Sequence, residues 1–263
     1  MGRLSLEYPK TATNTVRRYG ERGFYELETI HSIINTAKML YVSFNAPNSP
    51  FPVMLPMIGI MGSYDRPSAG PGEALDLYLH GYVTSRMLNV GRSSTGKGMP
   101  VSVATCHIDG LVLALSAFSH NFNYRSAALF GYATLVEDEA EKLYVMERVT
   151  NKFIPDHWRN TRLPPSKREV QILGVLKVKI VSGSAKIRTG QADDEIEDME
   201  NESVVGRFWT GVLPLYQVMG EPIPSSYNPV NVLPHIAKYQ EEFNNDNKEE
   251  ALAAVEKEEG PVS

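Results

Sequence analysis

Cysteine is almost missing from this chain: Cys106 is the single one among 263 residues. That excludes a disulfide framework and any zinc site built on several thiolates. Positive charge is not in excess either. Lys and Arg total 26 against 31 Asp and Glu, a formal net charge of −5, which argues against general affinity for nucleic acid or anionic membrane. No apolar run approaches the roughly 20 residues that cross a bilayer. The opening MGRLSLEYPKTATNTV has no apolar centre of the kind a secretory signal needs, so a soluble, cytoplasmic protein is expected. Gly-rich phosphate loops, His-Glu-x-x-His and Gly-x-Ser-x-Gly are all absent. The six histidines, His31, His80, His107, His120, His157 and His235, share no metal-ligand spacing, and no metal site is expected.

What the chain does have is alternation. MLYVSF, FPVMLPMIGIMG, LDLYLHGYV, GKGMPVSVATCHIDGLVLALSAF, YRSAALFGYATLV and VLKVKIVSGSAKIRTG read as strands, and prolines in the second demote it to an edge or bulged position. The Asp109-Gly110 pair predicts a turn between two strands within residues 96–118. Cys106, inside that apolar stretch, is expected as a buried, inert thiol. Ile30, Ile33, Ile34 and Ala37 share a helical face, and DEAEKLYVMERVTNKFI predicts a second helix. The acidic run QADDEIEDMENE reads as solvated loop. Strands joined by short connections with few helices point to a mainly β, antiparallel barrel or sandwich. The expected division is an arm over residues 1–25, a domain over 26–220, and an extension with a polar tail over 221–263.

Two polar stretches call for an explanation. Thr84, Ser85 and Arg86 fall where a strand gives way to a helix; there a hydroxyl caps the helix and free N–H groups favour a phosphate that Arg86 could clamp. The plainer alternative is an N-cap followed by a solvated arginine. Tyr124-Arg125-Ser126 stands directly before the apolar Ala-Ala-Leu-Phe, and an arginine at the mouth of a buried strand is costly unless something anionic meets it. Either a ligand supplies that charge, or a residue such as Glu137 or Asp138 does.

The stretches VRRYGERGFYE (16–26), LYLHGYVTSRMLNV (77–90), DGLVLALSAFSHNFNYRSAALFGYATLVEDEAEK (109–142) and SAKIRTG with FWTGVLPL (184–215) resemble the FMN-binding split-barrel proteins. Pyridoxamine 5'-phosphate oxidase is their best-known member, and the chain is more similar to the nitroimidazole-resistance-type branch. The resemblance implies a six-stranded antiparallel split β-barrel with a few flanking helices. It also implies a homodimer holding FMN between its subunits, and a small-molecule substrate. Ser85-Arg86, with Thr84 beside them, match a pair that grips the flavin phosphate. Arg125-Ser126 match an Arg-Gln pair, with Tyr124 flanking. Val53, Met54, Leu55, Pro56 and Met57 match the strand whose backbone lines the flavin ring. His80 matches a histidine near the flavin, placed to hydrogen-bond or act as general acid; a barrel-rim histidine is the bland alternative. The oxidase's C-terminal Arg-x-x-Trp-Arg is replaced by RFWTGVLPL at 207–215, which counts against pyridoxamine phosphate oxidation. An FMN-dependent oxidoreductase drawing on a reduced nicotinamide is the leading expectation. The alternatives are a non-catalytic flavin binder, or a haem-binding split barrel with His80 or His120 as axial ligand.

Overall fold

The computed structural model describes residues 5–47, 49–82, 87, 89, 91 and 96–256. Thr84, Ser85 and Arg86 therefore lie outside the described residues. Two compact units are formed: Met1–Cys106 with Ser126–Lys186, and His107–Arg125 with Ile187–Ser263.

In the first unit, the helix α1 (Leu27–Thr36) buries Leu27, Ile30, Ile33 and Ile34, the face that its periodicity predicts. The chain then enters β2 (Leu40–Asn45), where Leu40, Val42 and Phe44 point inward and Tyr41 and Asn45 outward. Next come β3 (Pro52–Gly62), β4 (Asp76–Tyr82), β5 (Met99–Leu113), β6 (Asn121–Leu135) and β7 (Leu173–Arg188), preceded by the short β1 (Gly23–Phe24). The hydrogen-bonded order is β7-β4-β3-β2-β5-β6, and β6 pairs back onto β7. That return closes a six-stranded antiparallel barrel, the fold class expected from the sequence, with β1 added at β7. Closure removes most of the sheet edge that would otherwise invite aggregation.

Both faces of β4 are dry. Leu77 and Leu79 are fully buried on one face and Tyr78 on the other, where it meets Val145 and Val149 of α2 (Glu139–Phe153). Each such side chain contributes about 2 kcal/mol through lost water contact. The Tyr78 hydroxyl donates to Glu141 Oε1 at 2.6 Å, and Lys177 Nζ donates to the same oxygen at 2.9 Å, so the one polar edge of this cluster is satisfied. A further helix, α3 (Lys167–Ile172), starts at a Ser166–Glu169 capping box.

The second unit holds β8 (Gly211–Pro214), paired to residues 110–113 of β5, and the helices α4 (Ile196–Met199), α5 (Glu202–Val205) and α6 (Pro234–Glu256). Within it, buried Arg188 donates to Asn123 Oδ1 and to the Gln191 carbonyl. Asn123 Nδ2 in turn donates to the carbonyls of Gly190 and Ala254, which ties α6 down.

Three expectations are corrected. No turn occurs at Asp109-Gly110; β5 runs through it unbroken. Asp109 is a buried ion-pair partner, not a turn former, and Gly110 admits β8, since a Cβ there would lie 2.8 Å from Val212. Cys106 is exposed. Val101, Val103 and Thr105 hold the inward parity of β5, so Ser102, Ala104 and Cys106 face out. Third, the acidic run contains α4, and α5 begins at its last residue, Glu202; both are short and mostly exposed, and Asn201 caps the second by accepting the N–H of Ser203.

Candidate functional site

β3 changes partner along its length. Residues 52–57 pair with β2, whereas Ile58–Gly62 pair with β4. The last β3–β4 pair is Ile58 with His80; beyond it Gly81 and Tyr82 stay with β7, opposite Gly174 and Leu173, and leave β3. The two strands therefore fork at His80. Past the fork, the edge of β3 over residues 52–57 that faces away from β2 has no strand partner among the described residues.

The composition of that edge follows from its prolines. An antiparallel ladder alternates pairs that exchange both hydrogen bonds with pairs that exchange none. Proline has no N–H to give, so Pro56 opposite Tyr41 and Pro52 opposite Asn45 occupy the non-bonded pairs. Met54, of the same parity, then directs its N–H and C=O away from β2. The open edge presents three carbonyls, those of Pro52, Met54 and Pro56, and one N–H, that of Met54. Val53, Leu55 and Met57 turn theirs toward β2.

His80 is half-buried between the flanking Ile58 and Val175. Burial lowers its pKa below the ordinary value, so the ring is neutral at pH 7. No hydrogen-bond partner holds it among the described residues, which leaves both nitrogens available at the fork. His120 is different. Its Nδ1 accepts the backbone N–H of Ala114 at 3.0 Å, which places the ring proton on Nε2 and removes that nitrogen as a metal ligand. His31 is also spoken for: Nδ1 donates to the Pro71 carbonyl and Nε2 accepts from the Tyr8 hydroxyl, both at 2.7 Å.

In the second unit, Arg125 donates from Nε to Asp109 Oδ2 at 2.9 Å and from Nη2 to Oδ1 at 2.8 Å, while Nη1 pairs with Glu250 on α6. Burial disfavours its charge, but Asp109 and Glu250 outweigh it and the pKa is raised. The charge at the mouth of β6 is thus met by Asp109 and Glu250, neither of which the sequence pointed to; Glu137 and Asp138 are not its partners. Tyr124 is half-buried, and Ser126 donates its hydroxyl to the Lys186 carbonyl at 3.1 Å within the first unit. Trp209 is 63% exposed, with its ring against Gly211. Of the remaining expected site residues, Val53 and Leu55 are half-buried, Met57 is buried, and Met54 and Pro56 are exposed.

No curated protein matches the chain significantly. Among solved structures, the flavocytochrome Anf3 from Azotobacter vinelandii is 26% identical with a TM-score of 0.72, covering 87% of this chain and 97% of that one. The FAD and haem binding protein from Mycobacterium smegmatis is 25% identical with a TM-score of 0.68, covering 83% of this chain and 97% of that one. Both likenesses exceed what the barrel alone would give, because the second unit's strand and helices are needed to reach such coverage. The pyridoxamine 5'-phosphate oxidase family matches residues 26–187, from the start of α1 almost to the end of β7. That match takes in the closed barrel, the fork and His80, and by it the chain belongs to the pyridoxamine 5'-phosphate oxidase family.

Proposed function

We propose that this protein is a cytoplasmic, homodimeric flavoprotein that carries FMN at the fork between β3 and β4 and works as an oxidoreductase. It would draw electrons from a reduced nicotinamide and pass them to a small organic acceptor. The observation that carries the proposal is the fork itself: an open backbone edge, a neutral histidine at its apex, and the expected phosphate residues next along the chain. The pyrimidine end of a flavin offers both hydrogen-bond acceptors and a donor, and the Met54 N–H with the neighbouring carbonyls complements them. Ser85 and Arg86, with Thr84, would hold the phosphate. Arg125 fits that task less well, because Asp109 and Glu250 already occupy its donors. Val53, Leu55 and Met57 would supply apolar contact, and His80 would give or take a proton at the open side of the fork. The redox chemistry belongs to the flavin; the chain binds it and controls access.

The dimer is supported by the outer face of the barrel. Tyr41 and Met54 are 51% and 63% exposed there, with Pro56, Ala104 and Cys106 on the same parity of adjacent, registered strands. An uncharged face of that kind suits a second copy of the chain. The stretch before α6 adds Val218, Ile223, Tyr227 and Val230, all more than half exposed, as an extended strap for the partner. An exposed thiol at Cys106 suits a reducing compartment.

A second reading, haem binding beside the flavin, is favoured by the likeness to a flavocytochrome and to a FAD and haem binding protein. Between the two histidines expected for it, His80 can offer a lone pair at either nitrogen and His120 cannot at Nε2. The test is an absorption spectrum of purified protein, taken again after incubation with FMN or FAD and desalting. Retained flavin bands that bleach anaerobically with a reduced nicotinamide support the proposal. A Soret band lost in His80→Ala supports haem as well. Absence of retained flavin at micromolar protein would refute the flavin assignment.

A further inference from the structure

Away from the fork, α1, β3 and α2 enclose a cleft of about 430 Å³. Its polar lining has been sorted by the fold. Asn35 Oδ1 accepts the N–H of Met61 at 2.8 Å, Asn151 Oδ1 accepts that of Trp158 at 2.9 Å, and the Tyr144 hydroxyl accepts that of Ser63 at 3.2 Å. The acceptors are spent on backbone, and what remains of these three groups is donor: two amide NH₂ groups and one phenolic O–H. Lys152 Nζ gives two hydrogens to the carbonyls of Gly59 and Ile34 and keeps a third. Arg148 Nε is buried with no acceptor among the described residues. Neither cation forms an ion pair among the described residues, and the single carboxylate in the lining, Glu147, is exposed to water.

We infer that this cleft is a binding site for a small ligand bearing a dianionic phosphate, with Arg148 and Lys152 supplying the charge and Asn35, Asn151 and Tyr144 the neutral donors. A cavity that has donors left and almost no acceptors is complementary to an oxyanion and to little else. Burial together with Lys38 lowers the pKa of Lys152 to about 8. It is still mainly protonated at pH 7. The volume exceeds that of inorganic phosphate, leaving room for the organic part of a phosphate monoester. The site shares no residue with the fork and does not depend on the flavin assignment.

The test is isothermal titration of the full chain with inorganic phosphate at pH 7 and constant ionic strength, with acetate as the monoanionic comparison. At least one saturable phosphate per chain is expected, with acetate at least 10-fold weaker. Arg148→Met breaks no hydrogen bond within the described residues and should weaken phosphate at least 10-fold. Arg168→Met, an exposed site of equal charge change, should bind like the parent. Asn151→Asp keeps the acceptor for the Trp158 N–H but replaces the donor with a carboxylate, and should abolish binding in a protein that still melts cooperatively. Equal phosphate affinity in the parent, Arg148→Met and Asn151→Asp overturns the inference, as does the absence of saturable heat in the parent.

Discussion

Asp109 and Glu250 hold the same arginine but are not equivalent. The Asp109 side chain is 6% exposed and Glu250 48%. Removing a buried partner strands a charge, whereas an exposed ion pair is screened by water. Asp109→Asn should therefore cost about 3 kcal/mol in urea-unfolding stability, and Glu250→Gln less than about 1 kcal/mol. Equal losses would mean that α6, and not the strand pair, meets the Arg125 charge. His31 makes a second prediction at this scale. Burial holds its pKa at about 4, below the 6.5 of an unperturbed histidine. Between those values the unfolded chain binds a proton that the folded chain refuses, so stability falls as pH drops from 6.5 toward 4, by up to about 3 kcal/mol. His31→Gln, which keeps one donor and one acceptor, should flatten that slope in urea midpoints measured at pH 7 and pH 4.5. An unchanged slope would assign the acid sensitivity elsewhere. The role proposed for His80 came only from family likeness. Its surroundings, two apolar neighbours on different strands, depend on register that no local pattern reveals.

At the scale of elements, the strands that the sequence made plain are those with clean alternation, such as Leu40, Val42 and Phe44 against Tyr41 and Asn45. β5 misled in two ways. Asp-Gly is a strong turn signal, yet its aspartate is claimed by an arginine 16 positions later, and a long-range ion pair overrode local turn chemistry. Cys106 carried no signal of its own parity; Val101 and Val103 set it. The cleft was equally hidden, since nothing local shows that Met61 and Trp158 take the amide oxygens of Asn35 and Asn151. β6 and β7 close the barrel at Gly131, where a Cβ would lie 2.3 Å from the Lys179 carbonyl oxygen. Gly131→Ala should lower the melting stability by about 2 kcal/mol, since overpacked sites rarely relax fully. A neutral effect would show that the two strands can separate there without loss.

For the whole molecule, closing six strands into a barrel leaves β3 with one half-edge that no strand covers among the described residues. The proposed site lies at that irregularity, where an otherwise regular barrel forks beside His80. The outer face bearing Tyr41 and Met54 is uncharged over three strands, and Tyr41→Glu should shift the sedimentation coefficient from dimer to monomer. A parent that sediments as a monomer at micromolar concentration would remove the dimer from the account. The most direct test of the central claim uses the single N–H of the open edge. Met54→Pro deletes that donor at a parity where Pro52 and Pro56 already sit, so the strand should tolerate it. Fluorescence titration with FMN should then show affinity reduced at least 10-fold relative to the parent, in a protein with an unchanged melting profile. Undiminished FMN binding by Met54→Pro would contradict the placement of the flavin at the fork.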